Sequence, residues 1–234
     1  MRRFWAEATV LSEGAGHGVF LDARALRTPA KALLQVPTRG LAEAIAAEWG
    51  GVDDTVRPAE MPMTRLANTV VDRVASAGPK VVETVASYGG SDLLCYRAPS
   101  PRPLADRQAD LWDPLLVWSA ETLAAPLRVA EGVMHVAQPD ASLKALRTAV
   151  DAHDVWALTA LHELVTLTGS LVLGLAVSRG RLELAEAWQL SRVEEDWNIA
   201  EWGEDAEAAA TARQRFAAFE DAARFMSLVR SEPL

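Results

Sequence analysis

The stretch Leu182–Gly203, LELAEAWQLSRVEEDWNIAEWG, decides how the second half of the chain is read. It contains no proline, and its only glycine is its last residue, where a helix would stop, so the sequence predicts one long helix. At roughly 100° per residue, Leu184, Trp188, Ser191, Ile199 and Trp202 fall on one stripe, with Glu195 near its middle. A carboxylate centred on an apolar face is a misfit, because a buried acid is costly without a donor. Glu195 is therefore predicted to find a partner inside this protein or to receive one from another. Trp197 lies nearly opposite Trp202, so this helix is expected either to be buried all round or to bind something.

Outward from that stretch, the pattern stays helical back to a proline-rich segment. Ala98-Pro-Ser-Pro-Arg-Pro103 cannot continue a helix or a central strand, and the domain boundary is placed there. Beyond it, Leu104, Gln108, Leu111 and Trp112 share a face, and Asp113-Pro114 reads as a cap and first turn starting a new helix through Trp118. Leu127–Val136 reads as an extended excursion. Asp140 and Asp154 are predicted N-caps. Leu164–Val177, the most apolar run, is too short for a bilayer and is predicted to be a buried core helix. A final amphipathic helix carries Phe216, Phe219, Ala223 and Met226.

The first part reads differently. FWAEATVL (Phe4–Leu11) and GVFLD (Gly18–Asp22) flank a glycine-rich turn and predict a hairpin. Thr38 caps a predicted helix with Leu41, Ile45 and Trp49 at four-residue spacing, stopped by Gly50-Gly51. Thr64 is the expected cap of the next helix, with Leu66, Val70 and Val74 inward, and Pro79 opens a third. The predicted architecture is an α+β N-terminal domain containing a β-sheet over residues 1–98, followed by an all-α helical domain over 99–234.

Composition narrows the function. Half the residues are hydrophobic, so the chain folds into a core rather than staying disordered. A net charge of -9, from 32 acidic and 23 basic residues without a basic cluster, argues against nucleic acid and anionic membrane surfaces. The single cysteine, Cys95, excludes an internal disulfide and fits a reducing compartment. No export signal is expected, since Arg2-Arg3 is followed by Phe-Trp-Ala-Glu rather than an apolar run. No membrane insertion is predicted.

Motifs for chemistry are weak. The Gly14–Gly18 segment fails the dinucleotide pattern, with Val19 where a glycine belongs and no following helix. His162-Glu163 lacks the second histidine of a zinc helix, and His153 does not share its face, so no metal site is predicted. Ser119, Ser170 and Ser191 lack a nucleophile elbow, and Cys95 reads as a packed thiol. The acids around Glu194, Glu195 and Glu201 leave one enzymatic alternative, a small hydrolase or transferase. Solvated helix faces more often carry such clusters. Eight tryptophans serve either the core or a protein-binding face.

Several blocks, in order, resemble one family: Leu26-Arg27-Thr28-Pro29 after Asp22; Leu41–Trp49; Met61-Pro62-Met63-Thr64 through Asn68-Thr69; Ser91–Arg97; the Gln108–Trp118 block; and Ser191–Gly203 with its Glu194-Glu195 pair. They resemble the F-type ATP synthase assembly chaperones that bind the α subunit of the catalytic head. The resemblance covers nearly the whole chain. It implies a non-enzymatic protein without cofactor that holds the free α subunit and shields the surface later buried by the β subunit. It implies partner-binding roles for Glu195, Glu194, Trp197 and Trp202, with no catalytic residue. Where that family has an aromatic residue and then Gln, this chain has Trp197-Asn198, a shorter amide. The free protein is expected to be monomeric and cytoplasmic in a bacterium, with relatives in the mitochondrial matrix.

Overall fold

The structure, a computed structural model, describes Met1–Gly14 and Gly16–Arg230. Strands β1 (Ala8–Glu13) and β2 (Gly16–Leu21) form the expected antiparallel hairpin, in register from Ala8 opposite Leu21 to Glu13 opposite Gly16. Gly14 turns the chain at φ +61°, a conformation costly for residues with a Cβ. The short strands β3 (Arg24–Ala25) and β4 (Gln35–Val36) both pair with β2, completing a four-stranded sheet.

Helix α1 (Arg39–Gly50) starts as predicted, with Thr38 Oγ accepting from the N–H of Leu41 at 3.2 Å. It packs on β1 and β2. Its buried face is Leu41, Ala42, Ile45, Ala46 and Trp49, and β2 contributes Val19 and Leu21 to the same core. Trp5 donates its indole N–H to the Trp49 carbonyl at 3.2 Å.

Helix α2 (Pro62–Thr69) corrects one expectation. Met61 and Pro62 open it, and Thr64 is not its cap. The orphan N–H groups of its first turn go to α1: Glu48 accepts from Met63 (2.7 Å) and Thr64 (2.8 Å), and also from the Thr64 hydroxyl (2.6 Å). Burial still raises the Glu48 carboxyl above its ordinary range, against the pull of those bonds. A π-turn, Val70–Val74, leads into α3 (Ala75–Ser87). The backbone of α3 leaves helical geometry at Ala77, just before Pro79, so Pro79 opens the regular part as expected.

The chain then forms β5 (Tyr96–Arg97), α4 (Arg102–Thr122), β6 (Ala130–Glu131), α5 (Asp140–Asp151), α6 (Val155–Thr168) and α7 (Leu171–Ser178). After these come α8 (Leu184–Leu190), α9 (Val193–Trp202) and α10 (Ala206–Arg230). A small N-terminal sheet region followed by a mostly helical region is the fold class read from the sequence. The predicted extended excursion is β6, which pairs in parallel with β5. No helix among the described residues is long and apolar enough to cross a membrane.

Two compact units emerge, and neither begins at residue 99. One comprises Met1–Gly78, Val155–Ala160 and the chain from Asp221 onward; the other comprises Pro79–Asp154 and Leu161–Glu220. Ala98–Pro103 therefore lies inside the second unit. Its Ala98 N–H is held by Gln108 Oε1 at 2.7 Å, and α4 starts directly from it.

Three further expectations are corrected in that unit. Pro114 lies inside α4, not at a helix start. The expected cap, Asp113, instead receives the Arg97 guanidinium at 2.6 Å, and that guanidinium also sits 5.1 Å from the Trp112 ring centre. The apolar run Leu164–Val177 is two helices, broken where Gly169 takes φ +69° and Ser170 Oγ caps Leu173. Asp140 is the first residue of α5, with Pro139 at the cap position.

Behind that break sits a buried acid. Asp92 accepts from Leu94 N–H (3.0 Å), Ser170 Oγ–H (2.7 Å) and Val172 N–H (2.9 Å). Helix α7 is buried on nearly every side, and Gly174 permits this. A Cβ there would lie 2.5 Å from Val165 Cγ2 and 3.3 Å from Leu161 Cδ1. Gly174→Ala is accordingly expected to lose about 1–3 kcal/mol through overpacking, despite alanine's better helix propensity. Denaturant unfolding checks this, and an unchanged midpoint would show that α6 yields freely.

Candidate partner-binding site

The stretch read as one helix is two. Helix α8 ends at Leu190, Arg192 takes non-helical angles (φ -121°, ψ 17°), and α9 begins at Val193. Neither glycine nor proline causes the break. The Leu190 carbonyl, which an unbroken helix would offer to Glu194, accepts the Trp112 indole N–H at 2.9 Å. The Ser191 hydroxyl donates to the Trp188 carbonyl at 2.7 Å. Gly203 ends α9 at φ +90°, as predicted.

The break turns α9 across the first half of α10, and a groove of about 770 Å³ opens there. Its apolar wall is Trp188, Ile199 and Phe216, and its acids are Glu195, Asp196, Glu204, Asp205 and Glu207. Trp188 is fixed by ring contacts with Phe216 (5.4 Å) and Phe219 (5.6 Å). A smaller cavity of about 310 Å³ shares Trp188, Arg192, Glu195, Asn198 and Arg215 with it. Glu195 thus borders both.

The charges there are unevenly committed. Arg192 lies 3.7 Å from Asp196 and over the Trp188 ring. Arg215 donates to the Leu167 carbonyl at 2.7 Å. Asp205 caps α10 through Ala208 N–H at 2.8 Å. Glu194 accepts from Gln108 Nε2 at 2.7 Å, and Gln108 is itself buried. Glu195 is exposed, and its carboxylate has no hydrogen-bond or ion-pair partner among the described residues.

The structure therefore brings Glu195 to the groove and Glu194 only to the smaller cavity, and neither tryptophan to either. Trp197 is half-buried and lines neither cavity, and Trp202 is 83% exposed outside both. The single stripe is corrected with the single helix: Trp188 and Ile199 line the groove, while Trp202 does not join them. Sequence reading missed the contributions of Trp188, Arg192 and Phe216. The aromatic pair Phe216 and Phe219 on the last helix was the available signal.

No histidine or cysteine lines either cavity, and no group of acids, histidines and cysteine among the described residues could hold a metal ion.

The sequence profile of the ATP12 chaperone protein family matches residues 2–120. The chain belongs to the ATP12 chaperone family. ATP12 proteins are ATP synthase assembly chaperones. The crystal structure of Atp12 from Paracoccus denitrificans is 48% identical, covers 98% of each chain and superposes with a TM-score of 0.94. That of the Atu1473 protein from Agrobacterium tumefaciens is 39% identical over 98% of this chain and 86% of the other, also at 0.94. The mitochondrial protein atp12 of Schizosaccharomyces pombe is 24% identical over 214 residues, 86% of this chain and 74% of its own.

Proposed function

We propose that the chain holds the free α subunit of the F-type ATP synthase and shields the surface that the β subunit later buries. ATP12 family membership supports an assembly role. The observation that carries the site is Glu195: an exposed, unpartnered carboxylate beside an apolar wall of Trp188, Ile199 and Phe216. Such a groove accepts an apolar side chain next to an arginine or lysine, the mixed chemistry of a subunit interface before assembly. An exposed interface of that kind aggregates if left uncovered. Modest affinity from one aromatic wall and one charge pair lets the larger α/β interface displace the chaperone, so release proceeds by competition. The chaperone acts as a monomer, without cofactor or catalysis, in the bacterial cytoplasm.

Glu195→Gln keeps shape and removes charge. Its stability should stay within about 1 kcal/mol of wild type, as for exposed substitutions. Its capture of purified α subunit, read by calorimetry, should weaken by about 1–3 kcal/mol. Glu194→Gln should capture more nearly as wild type does, because Glu194 is engaged with Gln108. Wild-type capture by Glu195→Gln, or unfolding as its main effect, would remove this site from the proposal.

A further inference from the structure

Two side chains of α4, one helical turn apart, hold the α8–α9 break from both sides. Trp112 donates its indole N–H to the Leu190 carbonyl, at the end of α8. Gln108 holds the start of α9. Its side chain is fully buried, and both ends of its amide are committed. Oε1 accepts from the Ala98 N–H at 2.7 Å, and Nε2 donates to Glu194 Oε1 at 2.7 Å. A backbone N–H can only donate, so the Ala98 segment fixes the amide oxygen on its own side and leaves the NH2 for α9.

That orientation sorts two adjacent acids. Glu194 and Glu195 are both exposed and stand about 100° apart around α9. A carboxylate accepts and does not donate, so the Gln108 NH2 seats one of them. Glu194 is the one seated. Glu195 is turned away from α4 and borders both cavities. Rolling α9 by one residue position would exchange the two carboxylates. It would also carry Ile199 off the wall it shares with Trp188 and Phe216. The other charged contact at the start of α9, Arg192 with Asp196, lies within the same segment and fixes nothing relative to α4.

We infer that Gln108 is a positioning residue of the groove: through Glu194 it sets the roll of α9, so that Glu195 faces the α subunit. The inference rests on the reading of the α9–α10 groove as the place where the α subunit is held. Its consequence is that Glu194 serves the site as a hydrogen-bond acceptor and not as a charge. The two roles separate cleanly by substitution. Glutamine at position 194 keeps an acceptor for Gln108 and loses the charge, whereas alanine loses both.

The test measures capture of purified α subunit by calorimetry, using the full chain. Glu194→Ala should bind about tenfold more weakly, the low end of what a hydrogen bond to a charged group is worth. Glu194→Gln should stay within about twofold of wild type. Gln108→Met keeps the length of the side chain and removes the amide, so it should weaken capture as Glu194→Ala does. The double variant should be no weaker than Gln108→Met alone, because both substitutions delete the same bond. Gln108 is buried, and its loss also strands the Ala98 N–H; if Gln108→Met does not fold, the exposed pair Glu194→Ala and Glu194→Gln decides the matter. In the free chain, hydrogen exchange over Val193–Asp196 should quicken in Glu194→Ala and not in Glu194→Gln. Glu195→Gln is titrated alongside. If Glu195→Gln weakens capture while Glu194→Ala binds as wild type, the positioning role is overturned and the groove reading stands. Equal losses in Glu194→Gln and Glu194→Ala would overturn it too, since Glu194 would then meet the α subunit through its charge. Wild-type capture by Glu195→Gln removes the groove reading, and the positioning role with it.

Discussion

Asp92→Ala is expected to destabilise the folded chain by about 3–5 kcal/mol, since it leaves several buried donors without an acceptor at about 1–3 kcal/mol each. The mechanism is the stranding of donors. Asp92 is fully buried and receives Leu94 N–H, Ser170 Oγ–H and Val172 N–H. Ser170 Oγ in turn caps α7 through Leu173, so one deletion loosens the start of a helix that is buried nearly all round. Asp92→Asn should also be costly, because its amide would point donors at donors. Chemical denaturation measures both, and a loss under about 1 kcal/mol would show that the surroundings close over the gap.

The same residue makes a pH prediction. Burial pushes the Asp92 carboxyl above its ordinary range, against the opposing hydrogen bonds from Val172, Ser170 and Leu94. Between the ordinary value and the raised one, the folded chain holds a proton that the unfolded chain has released. Stability from this group is therefore fully present below the ordinary range and is lost as pH rises through the raised value. The gap in thermal midpoint between wild type and Asp92→Asn should be wider near about pH 4 than near about pH 8. A gap that widens with pH would mean that the three donors outweigh desolvation.

Asp92 also marks where sequence reading stops. Its partners Ser170 and Val172 lie 78 and 80 residues away, and nothing near Ser91-Asp92-Leu93 signals them. Helix α1 was legible because cap, stripe and stop are all local: Thr38, then Leu41, Ile45 and Trp49, then the glycines. The α8–α9 break was not, because its cause is an indole on α4 that claims the Leu190 carbonyl. In the same way, Arg97 claims Asp113 and Glu48 supplies the cap expected of Thr64. Each miss is a tertiary hydrogen bond overriding a local preference. Glu195 was legible as a misfit carboxylate beside apolar neighbours. The groove around it was not, because its other wall comes from α10.

Trp49→Arg is expected to lose roughly 3 kcal/mol or more, comparable to large core truncations. Trp49 is 8% exposed on the α1 face, 5.2 Å from the Trp5 ring, and donates its indole N–H to Thr64 Oγ at 3.2 Å. Arginine would place a guanidinium there with little access to water. The adjacent acid, Glu48, is already engaged with Met63 and Thr64, so pairing with the new charge would uncap α2. At about 2–4 °C per kcal/mol for a chain of this size, the thermal midpoint should fall by about 6–12 °C. Trp49→Phe separates the causes. It keeps a ring against Trp5 but loses the N–H to Thr64, whose hydroxyl still donates to Glu48, and part of the indole volume, so about 1–2.5 kcal/mol is expected. If the arginine and phenylalanine variants melt together, the indole hydrogen bond rather than the buried charge governs the site. If neither midpoint moves, Trp49 is not part of the core that joins α1 to the sheet.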